Sequence, residues 1–178
     1  VEGWLLLVPK QHFISMGALP EELADELEDM KAKVSAHVRS AYGEVCVFEH
    51  GPAFASGKVG CSVDHAHLHL VPLSFDLSEA ARLFMPQDSE WSKASWRECR
   101  EAHLAGKDYL YFEQPAGYGS ISMHTDFGSQ VFRRAIASQI GRPDAFNWRE
   151  HPELDTITRT INVFAHAAYP PEGISCER

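Results

Sequence analysis

Three imidazoles alternate with apolar residues in Ser62-Val63-Asp64-His65-Ala66-His67-Leu68-His69-Leu70-Val71-Pro72. In a strand, successive side chains point to opposite faces. The spacing therefore predicts a strand from Cys61 to Val71 with His65, His67 and His69 on one face. Ala66, Leu68 and Leu70 then face a core. Three neighbouring imidazoles are costly if all are charged, so some must be neutral, with tautomers set by their partners. A neutral imidazole held this way can attack phosphorus, and its neighbours can donate to phosphate oxygens. A lone strand histidine is usually structural, but three in strict alternation are hard to reach by accident. A competing reading is a zinc site, since His-x-His on a strand can hold the metal. Such a site needs a further carboxylate or histidine, and Asp64 falls on the other face.

Other elements must position this segment. Trp4 to Val8 reads as a buried strand ended by Pro9. From Pro20, the apolar residues Leu23, Leu27, Met30, Val34 and Val38 recur at helical spacing. Pro20 suits the first turn and Gly43 the stop. Val45 to Phe48 is a second short strand, and 49–60, with three glycines and a proline, a loop. Apolar strands separated by an amphipathic helix bury both apolar faces only in layers. The expected fold class is α+β, an antiparallel sheet with flanking helices.

With these elements in place, His65-Ala66-His67-Leu68-His69-Leu70-Val71-Pro72 resembles the signature of the histidine triad family. Pro9-Lys10-Gln11-His12 is similar to the family's Pro-Lys-x-His strand end, and Gly60-Cys61-Ser62-Val63 to its Gly-Gln-Ser-φ step. The resemblance covers residues 3–72. It implies a nucleotide bound through its α-phosphate and cleavage of a bond to that phosphorus, through a nucleotidyl-histidine intermediate. Carried over, His67 is the expected nucleophile. His69 and Ser62 contact phosphate, while His65 and His12 form a hydrogen-bond chain that sets tautomers. Cys61 stands where the family commonly has Gln, and a thiol is a weaker donor. Glu49-His50 stands near a common Asn. A carboxylate there would repel phosphate, so His50 is the expected ligand. Some branches hold zinc with an N-terminal CxxC pair and histidines equivalent to His12 and His65. This chain has no CxxC. No tightly bound zinc and no other cofactor is expected in it, and phosphate or sulfate is the species expected near His67 and Ser62. The family fold starts before Trp4, so a longer natural N-terminus is expected. A homodimer is also implied.

Residues 1–74 are read as the triad domain, and 75–178 as a C-terminal helical extension with a short strand pair. Residues 76–105 look helical, with Trp91, Trp96 and Cys99 as core contacts. Tyr109 to Glu113 reads as a strand, Ser129 to Ile140 as a helix, and Leu154 to Phe164 as a last helix. Arg133 and Arg134 can reach a phosphate, although paired helix arginines more often face solvent. His103, His124, His151 and His166 read as surface or structural.

Composition bounds the function. With 178 residues, 44% apolar and 23% charged, the chain can bury a core without disulfides. Its cysteines form no CxxC pair, and a cytoplasmic setting is the default. No apolar run approaches a membrane span. A net charge of −9 argues against a broad nucleic-acid surface but not against a local phosphate pocket. A small-molecule nucleotide is the expected ligand. Three readings stay open: a nucleotidyl hydrolase or transferase, a nucleotide-sensing module with little turnover, and a metal site using the triad.

Overall fold

The computed structural model describes residues 1–57, 59, 63–115 and 118–168. The fold is α+β, built on one antiparallel six-stranded sheet. In chain order the strands are β1 (Leu5–Leu7), β2 (Val45–Gly51), β3 (Leu68–Pro72), β4 (Ser92–Ala94), β5 (Tyr109–Glu113) and β6 (Gly119–Met123). In space they run β1-β3-β2-β5-β6-β4. The helices are α1 (Ala24–Tyr42), α2 (Leu77–Arg82), α3 (Trp96–Leu104), α4 (Val131–Gln139) and α5 (Leu154–Ala168). None is long and apolar enough to cross a membrane.

Strand alternation gives the sheet two different faces. Val45, Val47, Leu68 and Leu70 join Met16, Leu27 and Val38 in one core cluster on the side of α1. Phe48, Val71, Leu110 and Phe112 join Phe132, Ala135 and Ile136 of α4 on the other side. A 3-10 turn at Glu21–Leu23, just after Pro20, leads into α1. It ends at Gly43, whose φ of 90° favours glycine and whose N–H returns to the Arg39 carbonyl. Leu27 and Val38 of the predicted stripe are buried, and Met30 is exposed.

Three expectations are corrected. The strand predicted from Cys61 starts only at Leu68. In 63–67 the main-chain groups that a ladder would use are taken elsewhere. The Asp64 carbonyl meets His12, the His65 carbonyl meets His67, and the Ala66 N–H donates to the Phe13 carbonyl at 2.6 Å. The loop predicted from residue 49 begins later, because Glu49, His50 and Gly51 pair with Tyr111, Leu110 and Tyr109. Gly51 is required there, as a Cβ would lie 2.0 Å from the Tyr109 ring. The helical reading of 76–105 is replaced by α2, β4 and α3. Pro86 follows α2, and Ser92 to Ala94 pair with β6. The sheet continues across residue 74 through the β2–β5 pairing.

Candidate active site

His67 lies one residue before β3. Its Nδ1 is 2.7 Å from the His65 carbonyl. A carbonyl only accepts, so Nδ1 carries the ring proton and donates it, and Nε2 keeps its lone pair. Burial holds the His67 pKa below the usual imidazole value. The Arg133 cation and His65 add to this, against the upward pull of the His65 carbonyl. The ring is therefore neutral at pH 7, with Nε2 bare.

His69 is buried on β3 and has the opposite tautomer. The Trp4 indole N–H donates to its Nδ1 at 2.9 Å. An indole nitrogen only donates, so Nδ1 is bare and the proton sits on Nε2. Burial pushes the His69 pKa well below its ordinary value, helped by His67, His50 and Arg133. The ring stacks on Phe48 with centroids 4.3 Å apart and meets His67 edge-on at 4.9 Å. Its Nε2 is buried and has no hydrogen-bond partner among the described residues. Leaving such a donor unpaired costs about 1–3 kcal/mol. An acceptor placed beside it would recover that cost.

The other predicted residues have different tasks. His12 Nε2 donates to the Asp64 carbonyl at 2.6 Å, and His65 Nε2 to the Pro9 carbonyl at 2.9 Å. Their rings meet edge-on at 5.2 Å. Together they fasten the segment after β1 to the segment before β3. What reaches His67 is the main-chain carbonyl of His65, while the ring of His65 is turned to Pro9. His50 is 3% exposed, and its Nε2 accepts the Phe132 N–H at 3.2 Å. That nitrogen, expected at a phosphate, is committed to the first turn of α4. The cap residue there, Gln130, makes no side-chain cap bond. Burial, with His67 and Arg133, pushes His50 down to about 3, so it acts as a neutral acceptor. Glu49 points to the opposite face. Cys61 and Ser62 lie outside the described residues.

Arg133 was discounted as a solvent-facing helix residue, and Trp4 was not considered for the site. Arg133, docked by the α4 turn that His50 holds, donates from Nε to the Phe146 carbonyl at 3.0 Å. Its guanidinium lies 5.0 Å from the Trp4 ring centroid. Its charge lowers His67, His69 and His50 alike. Trp4 was read only as a strand residue. Its signal was the indole itself, since a buried tryptophan N–H usually finds an acceptor. Trp4→Phe removes that donor and shortens the ring that lies under Arg133 and against Phe48. The His69 nitrogens should then change from the single Nε2–H form to a tautomer mixture in ¹⁵N NMR. About 1 kcal/mol of stability should be lost with the bond. An unchanged tautomer would show that Trp4 does not set it.

Among the described residues, no group of three or more His, Cys, Asp or Glu is placed to hold a metal ion. Compared with known families and curated proteins, the chain matches no family model and no curated protein.

Proposed function

We propose that this chain is a nucleotidyl hydrolase or transferase of the histidine-triad kind, with His67 as nucleophile. The observation that carries this reading is the neutral His67 ring, whose Nδ1–H is tied to the His65 carbonyl at 2.7 Å and whose Nε2 is bare. In the first step Nε2 forms a bond to the α-phosphorus. The bond from phosphorus to the leaving group breaks, and its electron pair departs with that group, which takes a proton from solvent. The ring becomes cationic, and the His65 carbonyl stabilises it through Nδ1–H. In the second step a water oxygen attacks phosphorus and gives a proton to solvent. The N–P bond breaks, and its electron pair returns to Nε2. A different acceptor in place of water makes the same sequence a transfer.

The neighbours serve the charge that develops on phosphate. The unpaired Nε2–H of His69 is a donor for a phosphate oxygen in a site largely shielded from water, where such bonds are worth most. Arg133 adds a positive field already felt at His67. Adenosine 5′-phosphoramidate tests the reading. Quenching in base, which preserves an N–P bond, should leave one adenylyl group on His67 by mass spectrometry. Turnover without this label, or nucleotide binding with neither label nor turnover, would overturn it.

A further inference from the structure

Beside the histidine cluster, β1, α4, α5 and the segment 140–153 border a half-open cavity of about 490 Å³. This is within the range of small-molecule sites, about 300–1,000 Å³. Its walls include Trp4, Leu6, Arg133, Phe146, Trp148 and Ile157. Three of these six are flat aromatic rings, and each is braced by a guanidinium. Arg133 lies 5.0 Å from the Trp4 centroid, Arg134 4.9 Å from that of Phe146, and Arg149 4.7 Å from that of Trp148. The rest of the wall is aliphatic apart from Arg142, His151, Glu153 and two threonines, so the cavity suits a planar, largely apolar group with polar edges.

The cavity adjoins the proposed phosphate position. Leu6 pairs directly with His69 across β1 and β3, so the two side chains share one sheet face. Paired residues of this kind have Cβ atoms about 4.5–5.5 Å apart. His67 is two residues from His69, about 7 Å along an extended chain. Trp4 is a common wall, lining the cavity while its indole N–H holds His69. Arg133 lines the cavity as well, and its field reaches His67.

We infer that this cavity, walled largely by residues of the second half of the chain, receives an aromatic ring carried by the substrate's phosphate. The inference rests on the His67 reading for where the phosphate sits. The ring's chemistry is a planar aromatic group on a phosphate monoester, and a nucleobase and a simple aryl group both supply it. The cation on the Trp4 and cavity side offsets the phosphate charge, and the aromatic walls take the ring.

Calorimetric binding of AMP, phenyl phosphate and ribose 5-phosphate tests this on the whole chain. At least one aromatic phosphate should bind about tenfold or more tighter than ribose 5-phosphate, roughly 1.4 kcal/mol. Preference for AMP would identify a nucleobase, and preference for phenyl phosphate an aryl group. Trp148→Ala should erase the aromatic advantage and leave ribose 5-phosphate nearly unchanged. Ile157→Asp, a change at a half-exposed wall residue of α5, should act in the same direction and guards against a folding defect in the first variant. Equal binding of all three ligands, or an aromatic advantage that survives both variants, overturns the inference. The two readings fail separately. If only the catalytic one fails, the aromatic preference persists without a label on His67. If only the cavity fails, His67 is labelled while both variants keep the parent's affinities.

Discussion

His67→Ala should lose nucleotide turnover by about 10⁴-fold or more while remaining folded. Removing a covalent nucleophile costs several orders of magnitude, because no neighbour can form the intermediate in its place. The fold should tolerate the change, since His67 is only half-buried and its one described bond is to the nearby His65 carbonyl. The pH profile supplies a second readout. Attack requires the neutral ring, and the folded His67 pKa lies below the ordinary 6.5. Activity should therefore be retained as the pH falls through the ordinary imidazole range, and should drop only below it. An acid limb at or above 6.5 would contradict the environment assigned to His67. Parent-like activity of His67→Ala, on any nucleotide that the parent cleaves, would show that the nucleophile lies elsewhere.

Local pattern made part of this architecture legible. The 3.6-residue stripe from Leu23 to Val38 located α1. Apolar runs located β1, β5 and the first half of β2. The remainder depended on partners distant in sequence. β4 is three residues long and exists because it pairs with β6. The second half of β2 is defined by Tyr109 to Tyr111 across from it. Residues 63–67 kept the alternation of a strand while His12, His67 and Phe13 took their main-chain groups. At the site, alternation brought forward His65, His67 and His69 but not what their rings bond. His69 owes its tautomer to the Trp4 donor. His50 was assigned to phosphate on chemistry alone, but the docking of α4 placed the Phe132 N–H against it. Arg133 was discounted by helix statistics, and the carbonyl of Phe146 turned it toward Trp4.

Replacing the buried Glu49 should produce a large stability effect on the sheet face opposite the histidines. Its carboxylate accepts the Met16 N–H at 2.6 Å and the Tyr109 hydroxyl at 2.5 Å, and the Tyr109 oxygen in turn accepts the Gly17 N–H at 2.9 Å. These bonds pin the 3-10 turn at Met16–Ala18 to the sheet face opposite the histidines. Glu49→Leu leaves the Met16 N–H without its acceptor and the Tyr109 hydroxyl without its own, which should cost about 2–4 kcal/mol. The same residue should impose a pH dependence on folding. Burial raises its pKa from 4.5 to about 7, against the two donors that lower it. The folded chain then binds more protons than the unfolded chain between about pH 4.5 and 7. The contribution of Glu49 is fully present below pH 4.5 and is lost as the pH rises through 7. Across that window it amounts to about 3 kcal/mol. Glu49→Gln has the same size and cannot ionise. In urea titrations at pH 5 and pH 8, the parent should lose stability toward pH 8 by about that much more than Glu49→Gln does. Equal changes in the two proteins would mean that Glu49 keeps an ordinary carboxylate pKa in the fold.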